Sequence, residues 1–349
     1  MGMLKKSKLA VGLDIGASSI KLVKLQEKAG GYVLRAMGIK DLPFDAISSE
    51  EIKDRDAVIF DIQSLIDETD PKIKEVVISI SGHGVITDKF LMDKKTGSEA
   101  EQAILFEAEQ RSPFDVEDVT MDYHIVKVDE EAGKMEVLLV AARNEFLKNY
   151  LDLILDAGLR PVIVDTDAFA MLNAYNINYE IDPSRVTALI DIGFDSTQLI
   201  FIKDGLFHST RDVSNGIRLI FEAVGREFRL NQEMASKALR GDMDGSIDQD
   251  MFKATVATSF EELTAGIEVA ISYFKSSSNA EDIDWMVFSG GGALVPYLPE
   301  LLQNKLGIPV EIFNPLRNIE YDPDLFTEHQ PEKVAPLLAV PLGLAARRL

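Results

Sequence analysis

Two near-copies of one short pattern, a third glycine cluster and a change of texture after residue 84 predict an α/β protein of two duplicated halves, with an α+β subdomain inserted into the first. The first copy, Gly12-Leu13-Asp14-Ile15-Gly16-Ala17-Ser18-Ser19-Ile20-Lys21, recurs in outline as Asp191-Ile192-Gly193-Phe194-Asp195-Ser196-Thr197. Short apolar runs flank each copy, 9–15 with 22–25 and 186–192 with 199–202, and two such runs split by a glycine-containing turn read as a β-hairpin. The third cluster, Met286-Val287-Phe288-Ser289-Gly290-Gly291-Gly292-Ala293, runs from a strand toward a helix beginning near Pro296.

These stretches point to a phosphate. Glycine lets a turn's backbone approach a ligand closely, and successive amides in such a turn form an anion-binding nest. Gly16, Ala17, Ser18 and Ser19 are therefore one candidate phosphate loop, and Gly193, Ser196 and Thr197 a second. Asp14 and Asp191 end the strands before the two turns, where a carboxylate can hold hydrated Mg2+ beside phosphates. A single Asp-x-Gly is an ordinary turn former. Two of them in equivalent hairpins, facing each other across a cleft, would clamp an oligophosphate from both sides. Gly290, Gly291 and Gly292 leave room for a flat group against the backbone.

At 349 residues the chain can bury two sizeable cores. Its 46% hydrophobic and 27% charged content is ordinary for a soluble globular protein. A net charge of −22 opposes affinity for nucleic acid or anionic lipid, which draw on Lys and Arg, and suits a partner presenting basic residues. With no cysteine, disulfides and thiol chemistry are excluded. The start, with Lys5, Lys6 and Lys8, lacks the apolar core of a signal peptide, and no run approaches the roughly 20 apolar residues of a membrane span. A cytoplasmic location without direct membrane insertion is expected.

In chain order, 31–42 reads as a third strand and 50–68 as a helix capped by Ser49, with Val58, Ile59, Ile62, Leu65 and Ile66 on one face. Residues 76–81 read as a buried strand ending at the turn Gly82-His83-Gly84. The insert follows: a helix 98–111 with Ile104, Leu105 and Ala108 inward, strands 119–128 and 135–142, and a helix 144–157 closed by Gly158. A strand 162–165 and a helix from Asp167 precede the linker 181–184. The second half adds a strand 206–211, helices 214–230 and 231–239, an acidic loop 241–245 and a long helix 249–274. After the glycine cluster come a helix 296–306, a strand 309–313, a polar surface loop 314–336 and a closing helix 335–346.

In order and spacing the three glycine-bearing stretches resemble the phosphate-1, phosphate-2 and adenosine motifs of the actin, sugar-kinase and heat-shock-70 ATPase superfamily. The resemblance implies a duplicated actin-like, ribonuclease-H-like ATPase fold binding ATP with Mg2+. It gives Lys21 a phosphate contact, has Asp14 and Asp191 hold the metal through water, and makes Asp167 the residue that positions a water. The helix dipole alone also accounts for a carboxylate at Asp167. In the ribose-contacting helix, Ser236 and Leu239 stand where relatives place Glu and Lys, leaving Glu233 and Lys237 as substitutes. Phe194 and Asp195 occupy positions of small glycines, and a carboxylate at phosphate distance implies slow or absent ATPase activity.

The insert narrows the likeness. Ile104-Leu105-Phe106-Glu107-Ala108-Glu109-Gln110-Arg111-Ser112-Pro113-Phe114, then Asp122-Tyr123, Leu139-Val140-Ala141-Ala142-Arg143 and Ala157-Gly158-Leu159-Arg160-Pro161, resemble the PilM family of type IV pilus assembly, itself related to FtsA. That likeness implies an FtsA-type inserted subdomain at 85–158, a first half of 1–84 with 159–185 and 335–349, and a second half of 186–334. It also implies an ATP-binding scaffold of the inner-membrane assembly platform that binds the cytoplasmic N-terminal peptide of PilN and other platform proteins. Recruitment to the inner face of the cytoplasmic membrane would then run through that partner, with homo-oligomerisation left open. Phe106, Pro113 and Phe114, where a helix ends, are the candidate peptide-binding residues, and the seam between insert and first half is the expected place. Two alternatives stay open. A small-molecule kinase would need a large substrate-pocket insertion that the sequence lacks. An FtsA-like filament protein would need a basic amphipathic tail, whereas this chain stops at Ala345-Ala346-Arg347-Arg348-Leu349.

Overall fold

A computed structural model describes residues 10–348 except positions 50, 112, 244, 246, 279, 281 and 327–329. The expected strand start at Leu9, the helix start at Glu50 and the Asp244 part of the acidic loop lie outside the described residues.

Both hairpins form, and in the same register. Val11–Ile15 pairs antiparallel with Ser19–Lys28, Asp14 opposite Lys21; Thr187–Ile192 pairs with Thr197–Lys203, Asp191 opposite Gln198. Each leading strand also takes a parallel neighbour, Glu75–Ile80 in one half and Trp285–Ser289 in the other. A parallel strand covered on both faces needs a continuous apolar run, and Val76, Val77, Ile78, Ser79 and Ile80 are all buried. The first sheet has six strands in the order Arg160–Thr166, Glu75–Ile80, Val11–Ile15, Ser19–Lys28, Gly31–Asp41, Ile319–Tyr321. The second has five, in the order Leu206–Val213, Thr197–Lys203, Thr187–Ile192, Trp285–Ser289, Val310–Ile312.

Helices cover the second sheet. Arg218–Phe228, Gln232–Leu239 and the 30-residue Gln249–Ser278 bury Ile220, Val224, Ala238, Phe252, Phe260 and Ile267 against Ile190, Leu199 and Phe288. Asn231 caps the middle helix, its side-chain oxygen accepting from the Met234 amide at 2.9 Å. Beneath the first sheet the closing segment packs backbone to backbone. A Cβ on Gly343 would fall 1.7 Å from the Ala170 carbonyl oxygen, and one on Gly12 would fall 2.0 Å from that of Pro341. Only glycine permits these approaches.

Several expectations are corrected. The first helix runs Arg55–Thr69 and is capped by Asp54, whose carboxylate accepts from the Ala57 amide, while Ser49 sits in a left-handed turn before it. Leu105 is exposed, because the helix Gly97–Arg111 turns only Ala100, Ile104 and Ala108 inward. The insert has a third strand, Val85–Asp93, which pairs with Lys134–Arg143, the central strand, with Val119–Asp129 on its far side. Within the expected loop 314–336, Ile319–Tyr321 joins the edge of the first sheet beside Gly31–Asp41. The closing helix begins as a 3₁₀ turn, Ala335–Leu338, and continues as Ala339–Ala345 with Pro341 buried inside it.

Candidate functional site

The two matched turns meet across one cavity of about 160 Å3. In both turns the glycine amide donates to the carbonyl three residues on, Gly16 to Ser19 at 3.1 Å and Gly193 to Ser196 at 2.9 Å. Asp14, Gly16, Ala17, Ser18, Ser19 and Lys21 line the cavity from the first half; Asp191, Gly193, Ser196, Gly290 and Gly291 line it from the second. Asp167, the first residue of helix Asp167–Asn178, closes the floor.

Two predicted residues stand behind the cavity wall. Thr197 is fully buried and its hydroxyl donates to the Asn215 carbonyl at 2.8 Å. Gly292 lies against Ile192, where a Cβ would come within 2.7 Å of that side chain. Glu233 and Lys237 line an adjoining cavity of about 500 Å3 that shares Ala17, Ser18, Ser19, Phe194 and Gly291 with the first. They pair with each other at 2.7 Å on an exposed helix face. Sequence reasoning missed Gln198 and Asp212, which both line the first cavity and join through the Gln198 amide at 2.8 Å. Gln198 was within reach: it follows Asp191 by the same offset as Lys21 follows Asp14, so register makes it the lysine's counterpart.

The charge balance follows from that exchange. Lys21 pairs with Asp14 at 3.0 Å, both side chains largely buried. Asp191 faces Gln198, a neutral partner. Burial pushes its carboxyl up to about 7; the Lys21 charge opposes this, and Asp14 and Asp167 add to it. Burial likewise pushes Asp167 up to about 6, helped by the Asp14 charge. Burial also raises Asp212. Carboxylates thus outnumber the cation around the cavity, a composition suited to a divalent ion between them and a phosphate chain. Among the described residues no three acidic or imidazole groups converge closely enough to ligate a metal directly.

The anticipated repulsion from Asp195 is met by other groups. Asp195 lines the cavity, yet its Oδ1 accepts from Arg218 Nε at 2.6 Å and its Oδ2 from the Ser49 amide at 3.0 Å.

A second groove lies in the seam between insert and first half. Tyr123, Leu138 and Val140 of the insert face Ile80, Ile163 and Phe169 across it, with the Asp165–Arg347 pair, 2.6 Å, at one side. Phe106, Pro113 and Phe114 lie elsewhere. Phe106 is exposed in a shallow hollow with Leu91, Pro113 is exposed, and Phe114 is half-buried with the Arg143 guanidinium 5.7 Å above its ring.

Mirrored sheets, matched hairpins and a cleft between them define an actin-like α/β protein. Solved structures agree on that fold: the ethanolamine utilization protein EutJ from Carboxydothermus hydrogenoformans (TM-score 0.58, 16% identity, 98% of this chain and 90% of that one) and MreB5 of Spiroplasma citri bound to ADP (0.50, 14%, 95% and 94%). The chain belongs to the PilM family: the family described as type IV pilus assembly protein PilM matches residues 12–349. It is also similar to a chain of the PilM–PilN type IV pilus biogenesis complex, with a TM-score of 0.84 and 27% identity over 97% of this chain and 98% of that one. Among the described residues no helix is long and apolar enough to cross a membrane.

Proposed function

We propose that this chain is a nucleotide-dependent scaffold of the type IV pilus assembly platform, binding Mg-ATP in the cleft and the cytoplasmic N-terminal peptide of PilN in the seam groove. One observation carries the nucleotide reading: two hairpins of equal register bring Asp14, Lys21, Asp191, both glycine turns and Gly290 onto a single cavity. The turn amides and Lys21 would hold phosphates, and Asp14 and Asp191 would hold Mg2+ through water. The metal would neutralise charge on the phosphates when bound. Glu233 and Lys237 border the space left for the nucleoside. Asp167, its carboxyl pushed up to about 6 by burial and so still mainly ionised at neutral pH, would orient a water. Phe194 and Asp195, in place of small glycines in the second turn, favour slow or absent turnover.

The ligand then acts chiefly by stabilising one arrangement of the halves; at a hundredfold excess over Kd, binding to the native state alone is worth about 2.7 kcal/mol. Mg-ATP should raise the melting temperature of the wild type without measurable phosphate release. Asp14→Ala and Asp191→Ala should both weaken binding by calorimetry. Wild-type affinity in both variants would overturn the cleft assignment, whereas release on the order of one phosphate per second would overturn only the slow turnover.

For the peptide, an extended segment gains affinity from an apolar groove and a strand edge, and the seam offers both along Val119–Asp129. Recruitment to the inner face of the membrane would follow from that contact, with the platform's other proteins and self-association as further partners. The chain would divide at residues 84, 158 and 185, and the pairing of Ile319–Tyr321 with Gly31–Asp41 supports counting that strand with the first half. A pull-down with the cytosolic PilN peptide tests the site. Phe169→Asp should abolish capture if the seam holds the peptide, whereas loss in Phe114→Ala alone would place it at the helix-end corner instead.

A further inference from the structure

The second phosphate turn departs from the first at Phe194 and Asp195, and both side chains converge on one arginine. Arg218, on the first turn of helix Arg218–Phe228, donates from Nε to Asp195 and from Nη1 to Asp45, each at 2.6 Å. Its guanidinium lies over two rings, 4.7 Å from the centre of Phe194 and 5.0 Å from that of Phe44. Phe221 completes the bracket, 5.4 Å from Phe194 and 5.6 Å from Phe44. The third guanidinium nitrogen is buried with no hydrogen-bond partner among the described residues. Asp45, Phe44 and Ser49 belong to the loop after the first sheet's Gly31–Asp41 strand, whereas Phe194, Asp195 and Arg218 belong to the second half. The contact therefore spans the cleft beside the phosphate cavity. Arg240 repeats the crossing nearby, pairing with Asp41 at 2.6 Å.

We propose that Arg218 is a positioning residue for nucleotide binding: it holds the Asp195 carboxylate away from the phosphate chain and, through Asp45, fixes the two halves at the spacing the chain requires. The inference rests on the nucleotide reading of the cleft. Asp195 lines the cavity with its side chain only 11% exposed. Its two oxygens are both committed, one to Arg218 and one to the Ser49 amide. Freed from the arginine, a carboxylate at that place would face the phosphates in a poorly solvated site, where like charges repel strongly. The arginine suits the task because a planar, permanently charged fork can bind two carboxylates while stacking on rings, which a lysine cannot do. Phe194, in place of a glycine, supplies one of those rings.

The experiment is a double-mutant cycle on the full chain, with Mg-ATP affinity by calorimetry and dissociation rate by stopped-flow. Arg218→Gln should weaken Mg-ATP binding about tenfold, mostly through faster dissociation. Adding Asp195→Asn should bring affinity back to within about twofold of wild type, because the charge needing restraint is gone. Should Arg218→Gln fail to fold, Asp45→Asn, which removes one exposed anchor, should weaken binding about threefold instead. Unchanged affinity in the folded single variant overturns the proposal, as does a double variant as weak as Arg218→Gln alone. A wild type that binds no Mg-ATP would sink the nucleotide reading and this proposal together; a wild type that binds alongside an equally tight Arg218→Gln would sink this proposal only.

Discussion

The two phosphate-type hairpins share a register and a turn hydrogen bond, yet their side chains do opposite things. In the first, the turn carries only small residues and Lys21 supplies a cation to Asp14. In the second, the lysine's place is taken by Gln198, the turn carbonyls of Gly193 and Phe194 accept from the amides of Ile217 and Arg218, and Asp195 is bound to an arginine. The first hairpin thus turns its charged pair toward the cavity, and the second packs on its own helix. On the proposed nucleotide reading, the duplicated backbone would fix where the ligand sits, and the side chains would decide which half holds it by charge and which by shape. Burial raises the Asp191 carboxyl to about 7, and the one nearby cation, Lys21, opposes that rise only in part.

The largest test of this contrast is steric. Gly290 has φ +81°, and a Cβ there would meet Asp191 Oδ1 at 2.2 Å and the Ile192 carbonyl at 2.6 Å. Gly290→Val should destabilise the protein by roughly 3 kcal/mol or more and abolish Mg-ATP binding, because the Ile192 carbonyl cannot move without its strand and the Asp191 carboxylate would be driven from its place. Gly16→Ala should be far milder. Its nearest atom is Lys21 Nζ at 3.0 Å, the end of a flexible side chain, so the melting temperature should shift by only a few degrees. Comparable losses in both variants would mean that the first turn at Gly16 is packed as tightly as the backbone at Gly290.

Next comes the shared cation. Lys21→Ala removes the positive group among Asp14, Asp167 and Asp191, and Mg-ATP affinity should fall on the order of tenfold or more, about 1.4 kcal/mol per decade. Gln198→Ala, at the matching position in the second hairpin, should cost less than about threefold, since a neutral amide bonded to Asp212 is lost there. Equal effects would refute the division of labour.

Much of this was legible in the chain. Asp-Ile-Gly turns between apolar runs declare themselves through turn chemistry, and the shared offset from aspartate to position 21 or 198 carries the register. What escaped did so for physical reasons. Val85–Asp93 carries Thr87, Asp88 and Lys89 in its middle and buries only Phe90 and Met92, so no clean alternation marks it. Ile319–Tyr321 is three residues long, and its pairing with Gly31–Asp41 depends on a remote strand. Asp212 reaches the cavity from the third strand of its sheet, and Arg218 from a helix, by tertiary packing that no local pattern encodes. Leu105 was misplaced by one helical position, which is enough to move a side chain from the core to the surface.

A smaller effect should follow pH. The folded state keeps a proton on Asp191 up to about 7, whereas an unfolded aspartate releases it near 4. Between those values the native state binds more protons than the unfolded one, so this group's contribution to stability falls as pH rises. Without nucleotide, the wild type should lose stability from pH 5 to 8 more steeply than Asp191→Asn, compared by denaturant melts. Mg-ATP needs the ionised carboxylate, so the ligand-induced rise in melting temperature should grow over the same interval. Parallel pH profiles for wild type and Asp191→Asn would show that the carboxyl is ionised throughout.

The least effect is expected at the edge of the nucleoside space, and there it separates ring from phosphate recognition. Glu233 and Lys237 form an exposed pair one helical turn apart, an arrangement that water and salt screen and that adds little to the helix. Each holds the other in its charged form: the Lys237 hydrogen bond lowers Glu233, and the Glu233 hydrogen bond raises Lys237. Glu233→Ala should therefore leave thermal stability nearly unchanged. If its carboxylate accepts from a ribose hydroxyl, Mg-ATP affinity should drop by about threefold to tenfold, the worth of one hydrogen bond to a charged group at a wet rim. Pyrophosphate lacks the sugar and should bind the variant as it binds the wild type. Parallel calorimetry with Mg-ATP and Mg-pyrophosphate decides the matter, because an equal loss for both ligands would mean that Glu233 acts through the general field of the cleft. Loss for neither would move the nucleoside away from this helix, toward the Leu294 and Leu337 side of the same cavity.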